Sequence, residues 1–247
     1  MTILDRAARA LPRWLTEKVP RDHWETEEAF RRRRRIVVGT AVAGAGALGA
    51  SLSTKPDSAQ FYGLTAATAA TWVIGGFASG PLHLGRMRTP GGALRRPVIT
   101  PVLTGVGAFG LFYGAALVAR RIPVLDRAIS SVLQYADQGD NGLVLLTTLT
   151  NGAAEEVFFR GALYAALHEK NSVAASTGVY MLATVATRNP ALVLASGVMG
   201  ALFGLQRRAT GGIQAPLLTH LTWSSLMLRY LPPLFRHHPE GPVQPEG

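Results

Sequence analysis

The chain has no cysteine. That removes disulfide bonds, thiolate metal sites and a cysteine nucleophile together, and leaves the redox compartment undetermined. Acidic residues are also few, 15 Asp and Glu against 25 Lys and Arg in 247 residues, for a formal net charge of +10. In the middle of the chain they nearly vanish. Between Asp57 and Glu169 stand only Asp126, Asp137, Asp140 and the adjacent pair Glu155 and Glu156. Charge of either sign is missing from Ile36 to Thr54, Ser58 to Gly85, Pro97 to Ala119, Asn141 to Ala154, Asn171 to Thr187, Asn189 to Gln206 and Ala209 to Leu228. A helix needs about 20 mainly apolar residues, in a range near 17 to 25, to span a bilayer core. Most of these windows fit. The fourth fits only if the charged segment after it belongs to the same helix, which sets those charges at membrane depth.

The mean hydropathy of +0.19 is high for a chain that opens on a long polar and basic stretch. The pattern predicts an all-α fold, a polytopic transmembrane helical bundle of about seven spans, or about eight with an interfacial helix. Residues 1–35 form a basic, partly amphipathic tail, residues 36–235 the membrane domain, and residues 236–247 a Pro-, His- and Gly-rich tail that reads as disorder. The net charge would suggest nucleic acid in a soluble protein, but no aromatic-basic module accompanies it, so nucleic acid is not an expected partner. The arginines have a better explanation. Arg31 to Arg35 precede the first span, and Arg86, Arg88, Arg95 and Arg96 separate the second from the third. Lys170, Arg207 and Arg208 fall on the same side if spans alternate, whereas Arg120, Arg121 and Arg127 fall opposite. The excess predicts a multi-pass protein of the cell membrane with its N-terminus in the cytoplasm.

Leu4 to Leu11 alternates apolar and basic residues, with Trp14 and Trp24 beyond. It reads either as an amphipathic helix on an anionic leaflet or as a disordered basic tail serving topology alone. The first span is rich in small residues, which let helices approach closely. The loop from His83 to Arg96, with Pro90-Gly91-Gly92, reads as a mobile connection. Leu125, Ile129, Val132 and Leu133 recur at helical spacing among charges, which predicts an interfacial or re-entrant amphipathic helix. Asp137 and Asp140 read as solvated.

The segment Glu155-Glu156-Val157-Phe158-Phe159-Arg160 carries the chemistry. A charge at bilayer depth costs about 2.5 to 3.5 kcal/mol on insertion scales, so such groups face a protein interior and usually act. Glu156 and Arg160 are four apart and share a helix face, which lets them pair. Glu155 is turned about 100° away, which leaves it the freer carboxylate. The bland alternative is a buried ion pair that only locks helices together. On later helices Thr184 follows Tyr180 by four residues, and Ser224 follows His220 by four. His220 is the only histidine near the middle of a span, where the bland role is an interhelical hydrogen bond.

The order Glu-Glu-x-x-x-Arg, aromatic-x-x-x-polar, His-x-x-x-polar, each on its own apolar helix, resembles the CPBP (Abi) intramembrane proteases. These include the type II CAAX prenyl endopeptidases. The similarity runs from about Asn141 to Leu231, against a family pattern of Glu-Glu-x-x-x-Arg, Phe-x-x-x-His and His-x-x-x-Asn. Here Tyr180 stands for the phenylalanine, Thr184 for the histidine and Ser224 for the asparagine. The resemblance implies an intramembrane endopeptidase without a cofactor. Glu155 would be the general base, Glu156 and Arg160 would hold the site's shape, and His220 with Ser224 would bind the oxyanion, with Thr184 in the place of the water-activating histidine. Its partners would be the lipid bilayer and a peptide or protein substrate at the membrane. A divalent metal is disfavoured, since Glu155, Glu156 and His220 make a poor set for zinc. The departures at 184 and 224 motivate an alternative, a catalytically impaired member that binds, confers immunity or acts as a scaffold. A proton-carrying transporter is a third possibility.

Overall fold

The computed structural model describes residues 12–19, 25–89, 91–167 and 171–235. The stretch Leu4 to Leu11, Trp24, the loop residues His168 to Lys170 and the tail 236–247 lie outside the described residues. A single turn, α1 (Arg13–Thr16), precedes the first long helix, α2 (Glu27–Ser51). Thr26 opens α2 by accepting the Ala29 amide at 3.2 Å, and Glu27 and Glu28 sit in the first turn, where the helix dipole favours acids. Those glutamates are four residues before Arg31 and Arg32, the favourable order for helical charge pairs. The arginine run is therefore helical. The structure extends the first long helix back through residues assigned above to the tail.

Ser58 caps α3 (Ala59–Ala78) by accepting the Phe61 amide at 3.0 Å. The helix ends well before the uncharged window does, because Gly80 takes φ +138° and Pro81 follows. Arg33, 1% exposed, fits against that turn and donates to Glu25, to Ser79 Oγ at 3.1 Å and to the Pro81 carbonyl at 3.3 Å. A Cβ on residue 80 would lie 2.6 Å from its guanidinium. Beyond the turn the chain runs extended, then forms a hairpin of β1 (Met87–Arg88) and β2 (Leu94–Arg95). A hairpin thus stands where the sequence suggested a mobile connection.

Five more long helices follow: α4 (Ile99–Ala119), α5 (Pro123–Gln138), α6 (Asn141–Glu155), α7 (Ser172–Val185) and α8 (Pro190–Thr210). The chain closes with α9 (Gln214–Tyr230) and the short α10 (Pro232–Phe235). A helix underlies each of the seven uncharged windows. Three of them, α3, α4 and α8, are both long and apolar enough to cross a membrane, and α7 is a shorter apolar helix. Ile74, Leu103, Leu111, Leu182 and Leu194 on these helices, and Val42 on α2, are exposed. Such an apolar outer surface suits lipid rather than water.

The arginine-rich segments meet at one end of the bundle. The Arg86 amide bonds the Thr210 carbonyl at 2.8 Å, while the Ile213 and Gln214 amides bond the His83 and Leu84 carbonyls at 2.9 and 3.0 Å. Gly85 and Gly212 make this crossing possible, since a Cβ on Gly212 would lie 2.0 Å from the Gly85 nitrogen. The opposite end is closed by amphipathic α5. Its Tyr135 hydroxyl donates to the Thr54 carbonyl at 2.7 Å, and Asn189 donates to the Ala128 carbonyl at 2.7 Å. Asn189 also caps α8 by accepting the Ala191 and Leu192 amides. Asn189→Ala removes cap and crosslink together and is expected to lower stability by about 1 to 2 kcal/mol, readable as a drop in unfolding temperature in detergent.

Helix α6 occupies the middle, against α3 on one side and α9 on the other. Helices α2 and α3 pack closely because Gly75 admits the Thr40 side chain and Gly44 admits the ring of Trp72; a Cβ at either glycine would come within 2.2 Å of it. Trp72 is fully buried and stacks on Phe158 at 4.7 Å between ring centroids, with Phe159 at 5.0 Å. It transmits the α2–α3 pair onto the charged segment. In lipid, helix association draws on packing more than on water exclusion. Trp72→Ala is accordingly expected to cost about 3 kcal/mol, the low end for such truncations, and chemical unfolding in mixed micelles checks it.

Candidate active site

Helix α6 does not end at Glu155 but widens into a π-helical segment, Glu156–Leu163. The two neighbouring carboxylates thus sit at a junction of helix types, and single π turns inside α-helices gather at functional sites. The uniform 3.6-residue period expected from the sequence does not hold here. The wider turn keeps Glu156 beside Arg160, joined from Nη1 to Oε1 at 3.1 Å. The carbonyl of Arg160 accepts a hydrogen bond from Arg207 Nε of α8 at 2.6 Å. A side chain bonded into the backbone ladder is a recognised way to perturb a helix.

Glu156 is fully buried and holds two partners through one oxygen. The same Oε1 that takes Arg160 lies 2.9 Å from His220 Nδ1. The Arg160 guanidinium lies between rings, 4.5 Å from the centroid of Tyr180 and 4.8 Å from that of Phe203. Phe203 in turn stacks on His220 at 4.9 Å. Glu156 Oε2 lacks a hydrogen-bond partner among the described residues. The cluster crosslinks α7, α8 and α9 through the π segment.

Glu155 is placed differently. It is half-buried, and its Oε2 accepts the Tyr180 hydroxyl at 2.6 Å. Charge-assisted O–H···O⁻ bonds have this length. Thr184, buried one turn further along α7, donates its hydroxyl to the Tyr180 carbonyl at 2.8 Å. The threonine hydroxyl is thereby committed to its own helix, and the group that reaches Glu155 comes from position 180. Ser224 is buried one turn after His220 on α9. The structure therefore brings Glu155, Glu156, Arg160 and His220 into one cluster, with Thr184 and Ser224 buried on the two flanking helices. Sequence spacing missed Tyr180 as a polar partner, because a tyrosine in an aromatic slot reads as core. It missed Phe203 as well, since nothing local marks a phenylalanine as the face that carries Arg160 and His220.

Asp137 and Asp140 stand apart from this cluster. Asp140 caps α6 by accepting the Leu143 amide at 2.9 Å. Among the described residues no group of three or more His, Asp and Glu side chains is placed to hold a metal ion. A cavity of about 880 Å³ opens at the arginine-rich end, with Arg33, Arg86, Arg96 and Arg207 in its walls and Gly161, next to Arg160, at its inner side.

Residues 138–226 match the family model described as Type II CAAX prenyl endopeptidase Rce1-like. The matched segment contains the whole cluster, from Glu155 to Ser224. The chain is thus an α-helical membrane protein whose segment 138–226, less than half of its length, is similar to that family. No curated protein and no solved structure matches it.

Proposed function

We propose that the protein is a membrane endopeptidase in which Glu155 activates water to hydrolyse a peptide bond near the bilayer. The single observation that carries this is the division of labour between the glutamates. Glu156 is fully buried with Arg160 and His220 both on its Oε1, while Glu155 is half-buried, within reach of water, and held only by the Tyr180 hydroxyl on its Oε2. A carboxylate held by one oxygen has the other free for a water. Glu155 takes a proton as the water oxygen bonds the carbonyl carbon, and the carbonyl oxygen becomes an oxyanion. The C–N bond then breaks as Glu155 returns the proton to the departing nitrogen, leaving a carboxyl and an amine terminus. His220 reaches Glu156 through Nδ1, which leaves Nε2 for the oxyanion. Ser224, one turn on, is the second donor. No step requires a cofactor.

The same proposal includes seven helices traversing the membrane, α5 lying at the interface and the arginine-rich end facing the cytoplasm. The substrate enters as a peptide or a membrane-anchored protein. A binding protein that does not cut is the alternative, favoured by the commitment of the Thr184 hydroxyl to its own helix, which withholds it from Glu155. Purified protein in lipid vesicles, given a library of membrane-tethered peptides, decides between the two. Cleavage by the wild type that is lost in Glu155→Gln supports the endopeptidase. Peptide retention without cleavage, equal in both proteins, overturns it in favour of binding.

A further inference from the structure

We propose that Tyr180 is the positioning residue of this site, its hydroxyl fixing the Glu155 carboxylate and its ring fixing Arg160, so that one side chain sets both halves of the cluster. The role is specific to a tyrosine at position 180 and rests on the reading of Glu155 as the base. Three observations carry it. The hydroxyl lies 2.6 Å from Glu155 Oε2. The ring centroid lies 4.5 Å from the Arg160 guanidinium carbon, the shortest of the three ring contacts that Arg160 makes. Thr184, one turn further along that face of α7, has turned its hydroxyl back to the Tyr180 carbonyl.

Physical chemistry favours this assignment. A carboxylate at bilayer depth with a single rotating χ system has many orientations, and only a few aim an oxygen at a substrate carbonyl. A phenol held by packing on both faces removes that freedom at little entropic cost, because it rotates about two bonds only. Tyr180 is held in this way, with Phe159 4.6 Å from its ring and Arg160 on the other contact. Its hydroxyl occupies one Glu155 oxygen and directs the other outward. A threonine at 184 cannot do this, since its short side chain on a helix finds the carbonyl one turn back more readily than a group on another helix.

Tyr180→Phe keeps the ring over Arg160 and deletes only the hydroxyl. In vesicles with a cleaved tethered peptide it is expected to lower kcat by about 10- to 100-fold, the worth of one hydrogen bond to a charged group, at unchanged KM. Thr184→Val is expected to lower kcat less than Tyr180→Phe does. An infrared measurement stands apart from turnover. The band missing in Glu155→Gln identifies the Glu155 carboxyl stretch, and Tyr180→Phe is expected to shift that band. If the wild type cleaves nothing, the endopeptidase proposal fails while the infrared shift still decides the role of Tyr180. An unshifted band, an unchanged kcat, or a greater loss at 184 than at 180 would overturn it.

Discussion

Glu155→Gln is expected to lower the hydrolysis rate by about 10²- to 10⁴-fold or more while the protein keeps its unfolding temperature. The amide has the shape of the carboxylate and can still accept the Tyr180 hydroxyl, so the hydrogen bond at 2.6 Å has a successor. What disappears is the capacity to take a proton from water. Glu155 belongs to no ion pair with Arg160 or His220, both of which meet Glu156 instead. Its removal therefore strands no buried cation. Initial rates on a tethered peptide, paired with thermal unfolding in the same lipid, test the two halves separately. Loss of rate together with loss of fold would show that Glu155 is structural and would remove the ground for calling it a base.

Glu156→Leu is expected to do the opposite, lowering stability by about 3 to 5 kcal/mol. Glu156 and Arg160 are 0% and 1% exposed, and the same Oε1 carries His220. Taking away the carboxylate leaves the guanidinium between two aromatic rings with no counter-charge at hydrogen-bonding distance from this helix. Rings attract a cation, yet the gain is about 0.5 to 2 kcal/mol and does not replace a buried carboxylate. Pairing the change with Arg160→Met deletes both charges and is expected to restore a large part of the loss, because two apolar groups of similar size can substitute for a buried pair. Denaturant unfolding of the single and double variants measures the coupling. A single variant within about 1 kcal/mol of wild type would mean that the pair is solvated and that its burial has been misjudged.

The contrast between the glutamates explains why an adjacent pair is useful. Two carboxylates side by side on a regular helix point about 100° apart and so meet different neighbours. One can be consumed in fastening α7, α8 and α9 to the motif helix, while the other remains available at the same depth. Arg207 joins the same framework from α8 through the Arg160 carbonyl, so the π segment is braced from two sides. Phe158 and Phe159 brace it from a third through Trp72.

Several of these features were legible in the sequence because each depends on chain-local physics. Uncharged windows of helical length mark helices, since in lipid every backbone polar group must find its partner within the segment. The scarcity of acids in the middle of the chain drew attention to Glu155 and Glu156, and the four-residue interval gave the pair Glu156–Arg160. Seven windows correspond to seven helices. The end of α3 was not legible, because Ser79 to Gly85 is as uncharged as a span, and only the φ of Gly80 and the crossing against Gly212 separate it from one. Arg33 shows the same limit. Five consecutive arginines look alike, and burial of the third is decided by where Glu25, Ser79 and Pro81 come together.

By itself, then, the sequence determined an all-α membrane protein, the charged motif within an apolar segment and one internal ion pair, all consequences of composition and helical period. Tertiary structure alone decided that His220 meets Glu156 and not Glu155, that the motif helix opens into a π turn, and that Tyr180 rather than Thr184 reaches the freer carboxylate. Each of those outcomes depends on the rotation of one helix about its axis against its neighbours. Packing of whole side-chain surfaces sets that rotation, and no local spacing encodes it.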